Sequence, residues 1–435
     1  MNESFTVQEA PAIYQVMLDT PRVRLGYKQT EVGVIPENWG VSKVEEVAKV
    51  VDSLHQTPSF SAEGYPMVRV TDIKTGNLNL NSALRVNAKV FVEFTKNYKP
   101  KRDDIVLSRV GSYGVSSFVE TDEQFCMGQN TVVIQSIVPA RYLYYVLNSR
   151  GVRQQIDDGS YGSGYKSLSL KNIKELLVPT PPTSTEQRSI ATALSDVDAL
   201  LAAQDKLIAK KRDIKQAVMQ QLLTGKQRLP GFTGEWEVKR LGEIGDISSA
   251  GVDKKLRADE TAVRLVNYLD AYRKDFIYSE DLNHWVTAPK HQLIRCAVKK
   301  GDIFFTPSSE TRDDICKSAV AMEDIPDAAY SYHVTRLRLR DDWNLRFRTY
   351  AFKTRTFFDQ AEMLCDGSGT RYVISQGKFK SMTVQVPPVE EQAAIATILS
   401  DMDADLTTLE QQHDKTRALK QGMMQELLTG RIRLV

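Results

Sequence analysis

Several loop segments of this sequence combine lysine and arginine with serine, glycine or tyrosine, a mixture suited to non-covalent binding of nucleic acid. Lysine and arginine neutralise phosphates or reach guanine edges, and glycine lets the backbone approach a groove closely. Taken singly, such a cluster is more often an ordinary solvated surface, and this alternative stays open. The candidate contact residues are Lys99, Lys101, Arg102, Arg109, Ser112, Tyr113, Tyr165, Lys166, Ser309, Arg312, Arg371 and Tyr372.

Motifs for catalysis, nucleotide binding or metal binding do not occur in the sequence. It contains no GxxxxGK[ST] phosphate loop, no Asn/Asp-Pro-Pro-Tyr/Phe segment and no GxSxG elbow. The five histidines form no HxxxH or HExxH pair, and the four cysteines form no CxxC pair. We therefore expect a non-catalytic chain with reduced thiols, no metal site and no cofactor of its own.

Length and composition indicate a folded, soluble protein. With 435 residues, 42% hydrophobic and 26% charged, the chain can bury large cores. No run of about 18 apolar residues occurs, so we expect no membrane span, no secretory signal and a cytoplasmic location. The net charge of +2 does not by itself indicate a nucleic-acid binder, so that function must rest on local features.

A stretch in the middle of the chain is repeated at its end. Residues 186–198 return as 391–403, and the Leu-Leu-Thr-Gly of 222–225 returns at 427–430. Self-similarity at so long a period predicts two copies of one architectural unit. The parts between the repeats differ far more than the repeats themselves, which suits recognition of an asymmetric, two-part target.

The same order of elements precedes each repeat. A tryptophan opens each half, short β-branched and aromatic runs predict strands, and helical patterns occur at 140–155 and 346–362. A glycine-rich turn follows at 162–166 and 367–371, and a Pro-Pro pair ends each half. Each half should therefore hold one α/β globule. The alternating arginines at 336, 338 and 340 favour one exposed strand face.

Each repeated segment predicts one long helix. Thr183 and Glu186 fit a capping box, an apolar stripe follows, and Gly225 and Gly430 are natural C-terminal stops. About 40 residues give a helix of roughly 60 Å, which favours an antiparallel coiled coil between the two repeats, with the basic run 210–212 facing solvent. The predicted interface residues are Ile190, Leu194, Val197, Leu201, Ile395, Leu399, Met402 and Leu406.

These patterns predict an α+β protein with a pseudo-two-fold internal repeat, in which two globular domains are joined by two long helices forming an antiparallel coiled coil. The expected divisions are an N-terminal extension (1–25), a first globule (26–182), a first spacer helix (183–228), a second globule (229–388) and a second spacer helix (389–435).

The chain resembles the specificity subunits of type I restriction-modification systems. The resemblance runs from Gly26-Tyr27-Lys28 through Pro36-Glu37-Asn38-Trp39 to the end of the chain. Its specific motifs are Glu-Gln after each Pro-Pro pair, at 186–187 and 391–392, and the two Leu-Leu-Thr-Gly ends.

The resemblance implies a subunit that recognises double-stranded DNA. Each globule would recognise one half of a bipartite target, and the helices would form the spacer and dock two modification (methyltransferase) subunits. A translocating restriction subunit would join if the system cleaves DNA. S-adenosylmethionine, ATP and Mg²⁺ would then belong to those partners.

Two alternatives from other classes stay open at this point. One is a coiled-coil scaffold that assembles proteins and does not bind DNA. The other is an enzyme with a composite site, such as a nuclease, which the missing motifs disfavour.

Overall fold

The computed structural model describes residues 23–159 and 167–434, and the chain divides into two units. The N-terminal unit contains the described residues up to Gln204 together with those from Gln412 onward, and the central unit contains Asp205–Gln411. Each unit therefore combines one α/β globule with the adjoining ends of two long helices. The first glycine turn, with Tyr165 and Lys166, lies outside the described residues.

Short strands and helices build the N-terminal globule. Its strands are β1 (Tyr27–Thr30), β2 (Gly33–Pro36), β3 (Gly40–Lys43), β4 (Ala48–Asp52), β5 (Tyr65–Val68), β6 (Gly76–Asn77), β7 (Leu84–Val86), β8 (Ile105–Ser108), β9 (Ser116–Phe118), β10 (Cys126–Met127), β11 (Thr131–Ser136) and β12 (Leu177–Thr180). Its helices are α1 (Val44–Val47), α2 (Ala88–Phe94), α3 (Ala140–Leu147), α4 (Arg150–Asp158) and α5 (Leu170–Glu175), and the first long helix, α6 (Ser184–Leu223), follows.

The central globule is built in the same way. Its strands are β13 (Glu237–Arg240), β14 (Gly245–Ser248), β15 (Thr261–Val266), β16 (Phe276–Ile277), β17 (Trp285–Ala288), β18 (Ala297–Val298), β19 (Ile303–Phe305), β20 (Ser308–Ser309), β21 (Ser318–Ala321), β22 (Ile325–Tyr330), β23 (Thr335–Leu339), β24 (Asp366–Ser368), β25 (Arg371–Val373) and β26 (Thr383–Val386). Its helices are α7 (Leu241–Ile244), α8 (Tyr268–Arg273), α9 (Lys290–Cys296), α10 (Leu345–Ala351), α11 (Arg355–Leu364) and α12 (Gln376–Ser381), and the second long helix is α13 (Val389–Leu428).

A five-stranded sheet with one topology occurs in both units. Its order is β4-β11-β8-β9-β6 in the N-terminal unit and β14-β23-β19-β21-β16 in the central unit. The last strand is parallel to its neighbour in each case, and the other pairs are antiparallel. The central strands β8 and β19 are buried along their whole length, which fits their apolar sequences. The predicted α+β class and internal repeat are therefore confirmed.

A buried aspartate precedes the central strand in each unit. Asp104 accepts the backbone N–H of Lys101 at 2.9 Å, and Asp302 accepts that of Lys299 at the same distance. Asp302 also forms an ion pair at 2.6 Å with Arg338, and Arg336 is only 7% exposed. The expectation of one exposed arginine face on β23 is therefore wrong, because the buried Asp302 carboxylate requires a cationic partner.

The two predicted long helices are confirmed, and each packs antiparallel against the end of the other within a unit. In the N-terminal unit, Lys420 of α13 pairs with Asp198 of α6 at 2.5 Å. In the central unit, Lys215 of α6 makes the equivalent pair with Asp403 of α13. Both helices end before a glycine in the left-handed region, with φ +66° at Gly225 and +68° at Gly430.

One detail of the helix prediction is wrong. The Thr183 hydroxyl accepts the Glu186 N–H at 3.2 Å, but the Glu186 carboxylate pairs with Arg433 and does not complete a capping box. The basic run is largely exposed, as predicted, and two of its cations also form ion pairs, Lys211 with Asp405 at 3.3 Å and Arg212 with Glu410 at 2.5 Å.

The predicted helix-interface residues divide between two environments. Ile190 and Leu194 are fully buried in the core of the N-terminal globule, and Ile395 and Leu399 are buried in the corresponding core of the central globule. The first turns of each long helix therefore pack on a globule. The four other predicted interface residues lie further along the two helices, where Leu406 is buried and Val197, Leu201 and Met402 are half-buried.

Candidate nucleic-acid interface

One edge of the five-stranded sheet gathers several loops in the N-terminal unit. Because β11 is antiparallel to both β4 and β8, the ends of β4 and β8 meet the start of β11. The loop after β8 carries Arg109, Ser112 and Tyr113. The Arg109 N–H donates to the carbonyl of Asn130 at 2.9 Å, and its own carbonyl accepts the N–H of Leu168 at 2.9 Å. We call this region the loop edge of the sheet.

The side chains at this loop edge are partly engaged. The Arg109 guanidinium pairs with Asp52 at 2.9 Å, its Nε–H donates to the Leu168 carbonyl at 3.1 Å, and its side chain is 17% exposed. The half-buried Tyr113 donates its hydroxyl to Asp157 at 2.9 Å, whereas Ser112 is exposed. The carboxylate of Asp52 reduces the charge that Arg109 presents, so Arg109 also has a structural role.

The other predicted cluster of the N-terminal unit lies at the opposite edge of the sheet. Lys99, Lys101 and Arg102 precede β8 rather than follow it. Arg102 pairs with Asp122 at 2.7 Å and lowers the pKa of that carboxyl by hydrogen bonding, and the Lys99 ammonium lies 5.6 Å from the centre of the Phe91 ring. The structure therefore separates these three residues from Arg109.

In the central unit, the structure brings all four predicted contact residues together. Strand β20 pairs with β25, which places Ser309 opposite Tyr372. The Arg312 guanidinium lies 4.9 Å from the centre of the Tyr372 ring and donates to the carbonyl of Cys365 at 3.4 Å. Arg371 begins β25 and is exposed. These residues surround a hairpin that turns at a glycine of left-handed conformation, Gly369 with φ +72°.

The two units place these residues at equivalent positions. In the N-terminal unit, Val110 forms a β-bridge with Ser167, as β20 does with β25 in the central unit. The loop after the central strand thus meets the segment after the glycine turn in both units. Sequence reasoning missed Asp52 and Asn130, because their proximity to Arg109 depends on strand order and has no local pattern.

A second repeated cluster lies where the long helices meet the globules, and we call it the helix junction. In the central unit, Arg228 pairs with the buried Glu391 at 2.7 Å, and the Trp236 indole N–H donates to the same carboxylate at 2.9 Å. In the N-terminal unit, Arg433 pairs with the buried Glu186. The Arg433 guanidinium lies 5.7 Å from the centre of the Trp39 ring, which is 1% exposed.

In each unit, a tyrosine of the globule also donates a hydrogen bond to an aspartate of a long helix. The Tyr145 hydroxyl donates to Asp198 at 2.7 Å, and the Tyr350 hydroxyl donates to Asp403 at the same distance. Burial, first of all, raises the pKa of both phenols well above the ordinary value, and hydrogen bonding to the aspartates adds to the effect. The repeated residues of the chain are therefore occupied in structural contacts.

Two other kinds of feature do not occur among the described residues, a metal site and a membrane-spanning helix. Within 23–159 and 167–434, no group of three or more His, Cys, Asp or Glu side chains is arranged to hold a metal ion. In the same part of the chain, no helix is both long and apolar enough to cross a membrane.

Two halves with one sheet topology, joined by two long helices, match a known family. The model of the type I restriction modification DNA specificity domain matches residues 36–210 and again 233–417. The chain belongs to this family and carries two copies of its domain. The specificity subunit expected from the sequence is therefore confirmed, in preference to a DNA-independent scaffold.

Individual relatives agree over nearly the whole chain. The chain is 23% identical over 418 residues to the type I restriction enzyme MjaVIII specificity subunit of Methanocaldococcus jannaschii, with 92% of this chain and 94% of that protein covered. It is 20% identical over 421 residues to the type I restriction enzyme EcoKI specificity subunit of Escherichia coli, with 92% and 90% covered.

Solved structures share the fold. A chain from a type I R-M system, solved in a study of complex assembly and conformational transition, superposes with a TM-score of 0.59 at 14% identity, covering 92% of this chain and 99% of that one. The type I restriction-modification S subunit from M. genitalium gives a TM-score of 0.52 at 17% identity, covering 90% and 96%.

Proposed function

We propose that each unit recognises one half of a bipartite, asymmetric DNA target through the loop edge of its five-stranded sheet. The observation that carries this proposal is a contrast between the helix junctions and the loop edges, both of which occur in each unit. The helix junctions repeat their tryptophan, arginine and glutamate, whereas the loop edges present different side chains on the same strand order. Different side chains on one framework suit two half-sites of different sequence.

Within this proposal the chain performs no chemistry. The loop edge of the central unit presents the exposed Arg312 and Arg371 beside the Tyr372 ring, and such groups bind DNA without breaking bonds. The repeated helix ends suit two copies of one partner, and we assign that role to two modification (methyltransferase) subunits. A restriction subunit would join in a system that cleaves DNA. S-adenosylmethionine, ATP and Mg²⁺ would bind to those partners, and the complex would act in the cytoplasm.

The proposal is tested by co-expressing the chain with its cognate modification subunit and mapping N6-methyladenine across the genome. We expect methylation at a two-part motif with an unspecified gap. Replacing residues 236–380 with the equivalent domain of a relative should change one half of the motif and leave the other half unchanged. A continuous motif, or a swap that alters both halves, would refute the assignment of one half-site to each unit.

DNA binding by the assembled complex gives a second test. If cations at the loop edges contact phosphates, the affinity must fall as the salt concentration rises. A complex that assembles but shows no salt-dependent binding would favour an assembly scaffold. Cleavage or methylation of DNA by the purified chain without partners would contradict the non-catalytic role.

A further inference from the structure

A basic and aromatic surface of the central unit joins the predicted contact residue Arg371 to three residues that the sequence did not single out. It consists of Tyr332 and His333, between β22 and β23, Lys254 in the loop after β14, and Arg371 at the start of β25. We call these four residues the Tyr-His surface. The strand order places it at the loop edge of the sheet, because the end of β14 pairs with the start of β23.

The two rings of this surface are held by a fixed backbone. The centres of the Tyr332 and His333 rings are 3.9 Å apart, and Tyr332 is 48% exposed. The Tyr332 N–H donates to the Val252 carbonyl at 3.2 Å, and the His333 N–H donates to the Ser331 hydroxyl at 3.3 Å. A Cβ atom on Gly251 would lie only 2.2 Å from the Ser331 carbonyl carbon, so the two loops pack backbone to backbone.

Positive charge accumulates at this surface. Partial burial and then the charges of Lys254 and Arg371 lower the pKa of His333, and the carboxylate of Asp253 opposes them incompletely. Asp253 is itself paired with Lys255 at 2.8 Å. Within the part of the chain that the structure describes, neither Lys254 nor Arg371 forms an ion pair. An anion placed among these groups would relieve the repulsion and favour the imidazolium form.

We propose that the Tyr-His surface binds a backbone phosphate of the DNA duplex, with protonated His333 donating a hydrogen bond to it. Lys254 and Arg371 supply the remaining charge, and the exposed face of Tyr332 packs against the neighbouring nucleotide. This inference rests on the proposed DNA recognition and names a contact within it. It commits to duplex DNA, because family membership and the loop-edge position both point to that ligand.

The contact makes DNA binding dependent on pH. Free His333, with its lowered pKa, is mostly neutral near pH 7, and a bound phosphate raises that pKa. Binding therefore takes up one proton from solvent, so affinity rises as the pH falls through the pKa of the bound state. The gain levels off below the pKa of the free state. A rise of one pKa unit corresponds to about a tenfold gain in affinity.

The test uses the full chain with ¹³C-labelled histidine and a duplex of about 30 base pairs carrying the target motif found by methylation mapping. The His333→Gln variant assigns the His333 resonance, and fluorescence anisotropy measures the binding of the same duplex independently. We expect saturating duplex to raise the pKa of His333 by about one unit. We also expect wild-type affinity to be about fivefold higher at pH 5.5 than at pH 7.5, because this window covers only part of the tenfold limit, with this factor lost in His333→Gln.

The matched control is His291→Gln, which removes an exposed histidine of α9. It should keep the wild-type pH dependence. Bound duplex with an unchanged His333 pKa, or a His333→Gln variant that retains the full pH dependence, would overturn the proposal.

Three further outcomes also refute the phosphate contact, for distinguishable reasons. If sodium phosphate alone raises the His333 pKa as far as the duplex does, the surface is a general anion site. If the modification subunit produces the shift in the absence of DNA, the surface docks protein. If no duplex binds at any pH in the anisotropy assay, DNA recognition itself fails and the inference fails with it.

Discussion

The helix junction of the N-terminal unit predicts a large and specific loss of stability when Arg433 is removed. The Glu186 side chain is 2% exposed, and Arg433 provides its ion pair through two guanidinium nitrogens. The Arg433→Ala variant leaves this carboxylate buried without its cation. Removing one partner of a buried pair costs about 3–5 kcal/mol. Because Arg433 is 27% exposed and water can replace part of it, we expect about 2–4 kcal/mol.

The central unit offers a matched comparison through Arg228→Ala. There the indole N–H of Trp236 also donates to Glu391 at 2.9 Å, so that carboxylate keeps one donor after the arginine is lost. The indole N–H of Trp39, in contrast, has no hydrogen-bond partner within the described residues. Arg228→Ala should therefore cost less stability than Arg433→Ala.

The assay is chemical denaturation followed by circular dichroism, with a double-mutant cycle. Glu186→Gln in the Arg433→Ala background removes the unpaired charge and should recover a substantial part of the lost free energy of unfolding. A loss below about 1 kcal/mol for Arg433→Ala, or no recovery in the double variant, would refute the reasoning.

Three other expectations concern glycines, a loop arginine and a buried tyrosine. Gly225→Ala should lower the free energy of unfolding by about 1 kcal/mol, because Gly225 has a left-handed φ. Gly430→Ala should lower it further, because the new Cβ would also lie 2.6 Å from Pro36. Equal losses of stability on thermal unfolding would contradict this clash. Arg312→Ala should weaken duplex binding by roughly 1–3 kcal/mol in anisotropy assays. Arg102→Ala changes a residue at the opposite edge of the N-terminal sheet and should leave duplex binding unchanged. An equal loss of affinity would contradict the assignment of DNA binding to the loop edge. Burial raises the pKa of Tyr144 to about 12, so the folded state holds a proton that the unfolded chain releases near pH 10, and stability should fall between these values by about 2–3 kcal/mol. Ionisation near pH 10, seen by absorbance while circular dichroism stays native, would contradict this.

The long helices and the repeat could be predicted because their signals are local and periodic. Each apolar stripe lies within its helix and each glycine stop lies just after it, so neither signal needs information from elsewhere in the chain. The same local reasoning predicted a capping box at Glu186. Its backbone N–H bonds to Thr183 as expected, but its carboxylate pairs with Arg433 instead. A guanidinium 247 residues away forms a stronger charge-assisted pair with that carboxylate than a backbone N–H would.

The candidate site was predictable only in part, for a related reason. Residue types identified Arg312 and Tyr372, which the structure places side by side. They did not separate Arg109 from Arg102, because these flank a single strand and lie at opposite sheet edges. Tyr332 and His333 gave no sequence pattern, since their neighbours come from loops that only the order of β14, β23 and β19 brings together.

The helix junctions of the two units also differ in how the polypeptide connects their residues. In the central unit, a short covalent segment joins Arg228 to Trp236. Both side chains donate hydrogen bonds to Glu391, and the Arg228 guanidinium also lies over the Trp236 ring. In the N-terminal unit, the equivalent Arg433 and Trp39 come from the two ends of the chain, and the Tyr27 hydroxyl donates to the carbonyl of Gly430 at 3.1 Å. The same junction is thus connected by a short stretch of backbone in the central unit and by non-covalent contacts between residues 403 positions apart in the N-terminal unit. One arrangement of tryptophan, arginine and glutamate is thus compatible with either kind of connection.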